Sequence, residues 1–269
     1  MSLVTSDLNL PAYFQRIGFS GEPAANLATL RALHHAHATS IPFENLDVLL
    51  GRGIRLDLPS LQAKLVTARR GGYCFEQNGL FSAVLERVGF SLTRLLARVH
   101  LGTKRLNPRT HMLTLVETEA GPHIADVGFG GWGLIEPIPF VAGQEFQQGS
   151  WTYRLEERAR GLWMLLAPGC PVGSELYSFT LDPQLPVDYE SPNHYTSTHP
   201  DSRFVQTLTA QRASPEQRLF LRNREFITVI GKETRSELLA EDRDIVATLE
   251  KHFGLHISAD TKFDFKTPV

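Results

Sequence analysis

The sequence contains very little cysteine. Cys74 and Cys170 are the two that occur among 269 residues, and they do not form the paired spacing of a zinc site or a disulfide framework. Disulfide-linked folds belong mainly to secreted proteins, whereas free thiols persist in reducing compartments. The scarcity of cysteine therefore excludes a disulfide scaffold and predicts a cytoplasmic protein.

An excess of charge and long apolar runs are also missing. The chain has 27 basic and 29 acidic residues, a formal net charge of -2. Because nucleic acids and membrane surfaces attract strongly basic proteins, we expect neither as a partner. No run approaches the ~18 apolar residues of a membrane span, and the first residues lack the apolar core of a signal peptide. Any anionic ligand must therefore be held by local groups.

Histidines are present, but a metal-binding spacing is not. His34, His35 and His37 lie together in a predicted helix, and no second set of ligands follows at a suitable distance. We therefore expect a solvated helix end there, and no metal site.

The most informative stretch surrounds Cys74. Apolar residues after it recur with a helical period as far as Gly89, which would end the helix. Gly71 and Gly72 permit a close backbone approach just before it, so the thiol would lie in the first helical turn among unpaired N–H groups. That environment favours the thiolate, which is the reactive nucleophile.

A nucleophilic thiol needs a base, and the predicted strands after the helix offer one. His111 begins one strand, and Asp126 ends the next. A hairpin of two or four loop residues around Ala120 would place both on one face, opposite or diagonal to each other. Asp126 would then fix the histidine tautomer and stabilise the imidazolium. A three-residue loop with a bulge would spoil this parity.

Two acids in an otherwise apolar segment, Glu44 and Asp47, also need partners if they are buried. Arg70 is suited to this task because a guanidinium can clamp carboxylates. We predict that the two acids hold Arg70 and thereby the thiol loop. The alternative is a pair of surface acids.

The glycine-rich loop 127–133 follows Asp126 directly. Its glycines permit close approach to a ligand, and its N–H groups can form an anion-binding nest, although the context of a nucleotide fingerprint is missing. We expect it to hold an acyl donor or an oxyanion beside an aromatic wall, Phe129. For Lys104 and Arg105 we expect a solvated turn.

Five motifs follow one another over most of the chain: Pro42-Phe43-Glu44-Asn45-Leu46-Asp47, Arg70-Gly71-Gly72-Tyr73-Cys74, Arg109-Thr110-His111, Asp126-Val127-Gly128-Phe129-Gly130, and the segment 193–204. In this order they resemble the arylamine N-acetyltransferases. The resemblance implies that Cys74, His111 and Asp126 are a catalytic triad.

The same resemblance implies an α+β fold with a cysteine-protease and transglutaminase-like core. A helical bundle over 1–89 would carry the nucleophile, an antiparallel β-barrel over 90–189 the base and its aspartate, and an α/β lid would cover 190–269. Local patterns agree. They predict two helices within 9–38, separated by Gly18 and residues 21–23, and further helices at 58–67 and 242–253. They predict strands at 92–101, 110–117, 123–127, 140–146, 151–156, 162–166, 204–210, 218–222 and 225–230.

The implied chemistry is ping-pong acetyl transfer. Acetyl-CoA would acylate Cys74, and an arylamine, arylhydrazine or N-hydroxyarylamine would take the acetyl group. An aromatic acceptor needs apolar surface. For contacts with the substrate and CoA we predict Phe43, Val99, Thr110, Phe129 and Gly130.

Other functions stay open on the sequence alone. The order Cys, His, Asp also occurs in transglutaminase-like and papain-like enzymes, so a cysteine hydrolase is one alternative. An amide synthase that closes a macrocycle is a nearer one. A binding protein that merely retains the fold would be expected to lack an intact triad.

Overall fold

Two antiparallel sheets and a group of N-terminal helices make up the fold. The computed structural model of the chain describes residues 8–102 and 106–265. The helices are α1 (Leu10–Ile17), α2 (Leu27–Ser40), α3 (Leu46–Leu49), α4 (Leu58–Leu61), α5 (Cys74–Val88), α6 (Glu190–Thr198), α7 (Arg203–Gln206) and α8 (Asp242–Phe253). A π-helical stretch, Gln62–Thr67, continues α4.

The strands lie mostly in the middle and last thirds of the chain. They are β1 (Phe43–Glu44), β2 (Leu92–Val99), β3 (Arg109–Val116), β4 (His123–Ala125), β5 (Ile138–Pro139), β6 (Glu145–Gln148), β7 (Trp151–Arg158), β8 (Leu162–Leu166), β9 (Glu175–Phe179), β10 (Thr209–Ala213), β11 (Gln217–Arg222), β12 (Glu225–Ile230) and β13 (Glu233–Leu238).

The N-terminal helices pack around their own apolar core. Tyr13, Leu30, Leu33 and Phe81 are fully buried in it, as the helical spacing of apolar residues requires. Helix α5 ends at Gly89, which has a φ of 111°. This left-handed conformation is one that glycine adopts without a Cβ clash.

The larger sheet has eight strands in the order β5-β4-β3-β2-β9-β8-β7-β6, all antiparallel, and it curls into a nearly closed barrel. Its inward-facing side chains form a second core that includes Leu95, Leu113, Tyr153 and Leu165. Strand β9 was not predicted. The predicted strand 140–146 is wrong in its limits, because β5 ends at Pro139 and β6 begins at Glu145.

The hairpin of β3 and β4 sets the position of His111 relative to Asp126. Thr114 lies opposite Ala125 and Val116 opposite His123, so residues 117–122 form the connection. This connection is longer than predicted but has an even number of residues, which preserves the parity. Asp126 follows the last residue of β4 directly, on the face that His111 shares.

The smaller sheet joins the beginning of the chain to its end. Its order is β1-β10-β11-β12-β13, and Phe43 in β1 pairs with Gln211 in β10. The predicted strand 204–210 is wrong: Ser202 accepts a hydrogen bond from the Phe204 N–H and so caps α7, and the strand begins only at Thr209. Helix α8 has the predicted limits, and it packs on this sheet.

The α+β architecture of helical bundle, antiparallel barrel and terminal α/β part is thus confirmed. The division into 1–89, 90–189 and 190–269 stays a prediction. Each helix in the described ranges is too short or too polar to cross a lipid bilayer.

Candidate active site

Cys74 is the first residue of α5, and the two glycines before it pack very closely against neighbouring groups. A Cβ on Gly71 would lie 2.2 Å from the Pro42 carbonyl oxygen, and one on Gly72 would lie 2.8 Å from Glu76 Oε2. Both positions therefore require glycine. The Cys74 side chain is buried, and Sγ donates a 3.4 Å hydrogen bond to the Thr110 carbonyl oxygen.

His111 and Asp126 form a buried pair beside this thiol. His111 Nε2 lies 2.7 Å from Asp126 Oδ2, and both residues are at most 2% exposed. Burial lowers the pKa of His111, but the charge and hydrogen bond of Asp126, together with Cys74, outweigh it and raise the pKa to about 10. The Nε2 bond leaves Nδ1 for the thiol. The ring is thus held in one orientation between the thiol and the acid.

Asp126 is itself fixed by three further contacts. Its Oδ1 accepts hydrogen bonds from Asn78 Nδ2 at 2.9 Å and from the Gly128 N–H at 3.0 Å. Its own N–H donates to His34 Nε2 at 3.1 Å. Burial raises the pKa of Asp126, but the charge of His111 and these hydrogen bonds outweigh it, so the pKa is lowered. The carboxylate therefore stays ionised next to the imidazole.

Asn78 was missed from the sequence, although a signal was present. It follows Cys74 by one helical turn, so both side chains lie on the same face of α5. Its Oδ1 also accepts a hydrogen bond from the Val127 N–H at 3.0 Å. One side chain thus ties the nucleophile's helix to the loop that begins at Asp126.

A network of charged groups supports the thiol loop. Arg70 contacts Glu44 Oε1 at 2.7 Å and Asp47 Oδ1 at 3.3 Å. Lys64 was not predicted, yet its Nζ lies 2.8 Å from Asp47 Oδ2 and 2.7 Å from Glu76 Oε1. Glu44 is completely buried. Each of the three carboxylates therefore has a cation beside it.

Glu76 connects this network to the backbone at the nucleophile. Its Oε2 accepts a hydrogen bond from the Tyr73 N–H at 3.1 Å. Burial raises the pKa of Glu76 to about 7, although Lys64 opposes the rise. A glutamate at the third position of a helix often closes the helix start in this way, and that spacing could have identified it.

The expectation of a solvated helix end at His34, His35 and His37 is wrong for His34 and His37, whereas the His35 side chain is 39% exposed. His34 and His37 are fully buried, because they lie on the inner face of α2. His37 bonds to the Tyr13 hydroxyl at 2.8 Å and to Gln77 Oε1 at 2.7 Å. Burial lowers the pKa of His34 to about 4 and that of His37 to about 3, so both are neutral at pH 7. In the described ranges, no group of three or more His, Cys, Asp or Glu side chains could hold a metal.

A cavity of about 590 Å³ opens above the thiol. Cys74 and His111 line it, and so do four of the predicted contact residues: Phe43, Val99, Thr110 and Phe129. The ring of Phe129 meets that of His111 edge to face, with centroids 5.1 Å apart. Such apolar walls exclude water from the reacting atoms.

Gly130 is not among the residues that line this cavity. It packs behind Phe43, where a Cβ would lie 2.4 Å from Gln211 Oε1. The close approach of Gln211 accounts for the glycine, and Gln211 Oε1 also accepts a hydrogen bond from the Gly131 N–H. Lys104 and Arg105 lie outside the described residues.

Comparisons with known proteins agree with this geometry. A family described as N-acetyltransferase matches residues 26–262. The arylamine N-acetyltransferase of Escherichia coli (strain K12) is 42% identical over 256 residues, which cover 94% of this chain and 90% of that protein. The chain belongs to the arylamine N-acetyltransferase family. It is therefore an acyltransferase.

Other members of the arylamine N-acetyltransferase family extend the match to structure. The crystal structure of the Nocardia farcinica enzyme superposes with a TM-score of 0.90 at 40% identity, covering 95% of this chain and 92% of that one. The structure of the Mycobacterium marinum enzyme in complex with CoA superposes with a TM-score of 0.87 at 34% identity, covering 91% and 92%. A Salmonella typhimurium relative, 38% identical over 95% of this chain and 92% of its own, is named arylamine N-acetyltransferase and N-hydroxyarylamine O-acetyltransferase.

Proposed function

We propose that this arylamine N-acetyltransferase transfers an acetyl group from acetyl-CoA to arylamines and arylhydrazines through an acetyl-Cys74 intermediate. The observation that carries the proposal is the buried contact of His111 with Asp126, 2.7 Å long, beside a thiol that lines a cavity. Cys74, His111 and Asp126 are the proposed catalytic residues. Both cysteines of the chain are free, which suits a cytoplasmic enzyme.

In the first half-reaction, Cys74 gives its proton to His111 and attacks the thioester carbonyl of acetyl-CoA as the thiolate. A new bond forms between carbon and the Cys74 sulfur, the bond to the CoA sulfur breaks, and the CoA thiolate takes the proton held by His111. One thioester replaces another, so the step is nearly thermoneutral. The protein must keep the imidazole charged and correctly oriented, and the ionised Asp126 does both.

In the second half-reaction, the acceptor nitrogen attacks the acetyl-Cys74 carbonyl. His111 removes the proton from nitrogen as the new bond forms, and the Cys74 sulfur leaves as the thiolate. An N-hydroxyarylamine reacts in the same way through oxygen. Because His111 serves first as acid and then as base, each turnover restores the starting protonation state.

The shape of the cavity supports an aromatic acceptor. Phe43, Phe129 and Phe204 line it together, and the rings of Phe43 and Phe204 are 5.8 Å apart. Aromatic walls favour a flat, apolar ring and leave its amino group to meet the thioester. The names of the related enzymes support the same acceptor class, and the CoA complex of the Mycobacterium marinum enzyme supports a CoA donor.

Mass spectrometry after incubation with acetyl-CoA alone tests the intermediate. We expect one acetyl adduct on Cys74 in the wild type and none in Cys74→Ser, with Cys170→Ser as the matched control that keeps the adduct. An acetyl group on any other residue would refute the assignment of Cys74.

A panel of acceptors separates acetyl transfer from the alternatives. Adding an arylamine should release stoichiometric acetylated amine from the adduct and restore the free thiol. Turnover of peptides or glutamine side chains, or ring closure of an acyl chain without intermolecular transfer, would instead favour the hydrolase or amide synthase function.

A further inference from the structure

Two arginines, Arg203 and Arg222, line the same cavity as Cys74. Arg203 begins α7 and Arg222 ends β11, and both residues are exposed, so they lie where the cavity meets solvent. No ion pair or side-chain hydrogen bond joins either guanidinium to the part of the chain that the structure describes. By contrast, Arg70 and Arg94 each bind a carboxylate at 2.7 Å.

Both arginines line one cavity, and their like charges repel each other. Arg203 keeps access to solvent, yet protein atoms crowd its side chain; desolvation lowers its pKa, and the charge of Arg222 lowers it further. Asp201 also lines the cavity and has an interaction partner of its own. Two like charges in one cavity, neither in an ion pair within residues 8–102 and 106–265, raise the free energy of the empty site. An anionic ligand would remove that cost.

The charge of the whole chain makes such a local site necessary for a CoA donor. At a formal net charge of -2 the protein does not attract a polyanion over a long distance. Guanidinium groups suit phosphate because their N–H donors form paired hydrogen bonds with its oxygens. A single cavity that contains the thiol and the two arginines fits a ligand with a thioester at one end and phosphates at the other.

We propose that Arg203 and Arg222 bind the phosphate groups of the CoA donor. The proposal rests on the acetyl-CoA chemistry proposed above and assigns residues to the nucleotide end of that donor. A carboxylate on an aromatic acceptor shares the same chemistry, so the experiment must distinguish these two anions.

The test compares a donor with phosphates to one without them. Arg203→Gln and Arg222→Gln are assayed with acetyl-CoA and with S-acetylpantetheine, which has the same thioester but no phosphate. Aniline is the neutral acceptor, and 4-aminobenzoate is the anionic one. The matched control is Arg243→Gln, which removes an exposed charge on α8 outside the cavity.

We expect each cavity variant to raise the KM for acetyl-CoA by about 2- to 5-fold, the range for an exposed charge pair. The kinetics with S-acetylpantetheine, the thermal midpoint and the control variant should be unchanged. Salt should raise the KM of the wild type for acetyl-CoA more steeply than that of either variant, because screening acts on the contact that the variant lacks.

Three results would overturn the proposal. Equal losses with both donors would show that the arginines act on the fold. Losses confined to 4-aminobenzoate would show that the anion is the carboxylate of the acceptor. Unchanged kinetics with acetyl-CoA would show that neither arginine contacts the donor. A wild type that accepts acetyl from neither donor would instead refute the proposed acetyl transfer itself.

Discussion

The pair of His111 and Asp126 is stable in a buried site because each member stabilises the charge of the other. Burial by itself would discharge both groups. Their contact reverses both effects, raising the pKa of His111 to about 10 and lowering that of Asp126. At pH values between these two pKa values, the imidazole keeps its proton and the aspartate stays ionised. The site is therefore charged throughout the neutral pH range before any substrate binds.

Removing the charge of Asp126 tests this at the residue scale. We expect Asp126→Asn to slow acylation by about 10³- to 10⁴-fold, because an amide neither stabilises the imidazolium nor fixes the tautomer. The measurement is single-turnover release of CoA. The control is Asp242→Asn, which removes an acid on α8 that pairs with Arg224. A loss smaller than tenfold would mean that His111 is oriented by other groups.

The start of α5 is the element on which the site depends. Glu76, Gln77 and Asn78 are consecutive, buried and polar, a combination that costs free energy unless every group is bonded. Each one contacts a different part of the fold. Glu76 bonds to Lys64 and the Tyr73 N–H, Gln77 bonds to His37 and the Pro42 carbonyl oxygen, and Asn78 bonds to Asp126. The helix end that carries the nucleophile is thereby fixed from three directions.

Lys64 gives the first prediction at the element scale. We expect Lys64→Met to lower the free energy of unfolding by about 3 to 5 kcal/mol, because it leaves Glu76 buried without its cation. The double variant Lys64→Met/Glu76→Gln should recover part of this loss in urea unfolding. Arg52→Met is the control: Arg52 pairs with Asp47 but is 62% exposed, so its loss should stay below about 1 kcal/mol. Equal losses at the two sites would contradict the proposed coupling.

Gly128, in the loop opposite α5, gives the second prediction at the element scale. A Cβ there would lie 2.5 Å from Asn78 Nδ2 and 2.9 Å from Cys74 Cα. We expect Gly128→Ala to push this loop away from α5 and to lower kcat by at least about tenfold, since displacements near 1 Å are costly in catalysis. Gly53→Ala is the control, because a Cβ there meets nothing within 4 Å. Unchanged kcat would show that the loop can move without harm.

At the scale of the whole molecule, the smaller sheet connects regions that are distant in sequence. Phe43, which lines the cavity, belongs to β1, and β1 pairs with β10 near the other end of the chain. The cavity wall therefore depends on folding of the last part of the chain. Buried neutral histidines in α2 also link the stability of the whole molecule to pH.

Acidification should destabilise the protein through His37. Its pKa is about 3 when folded and near 6.5 when unfolded. Between these values the unfolded chain binds more protons, so stability falls as the pH drops below 6.5. We expect His37→Gln to show a shallower decline between pH 6.5 and 4, by about 1.4 kcal/mol per pH unit. If thermal or urea unfolding showed the same dependence of stability on pH for the two proteins, this prediction would be wrong.

Much of the site was determined by local sequence. The glycines before Cys74 and the helical period after it follow from short-range geometry, and so they could be predicted. The shared face of His111 and Asp126 was predicted from a connection of two or four residues, and the six-residue connection between β3 and β4 keeps the same parity. The predicted strand at 204–210 failed for a local reason as well. An alternating apolar pattern competes there with a serine cap, and the cap prevails.

The tertiary structure decided which polar groups meet across long sequence distances. The sequence around His34 does not indicate that this residue accepts a hydrogen bond from the Asp126 N–H. The sequence around Arg222 likewise does not indicate that its charge acts on Arg203. Burial depends on how separate elements pack. Packing makes His34 a neutral core residue and makes Lys64 the counterion of a buried glutamate. The sequence by itself therefore determined the reacting groups, whereas the packing of helices and sheets determined which groups hold them.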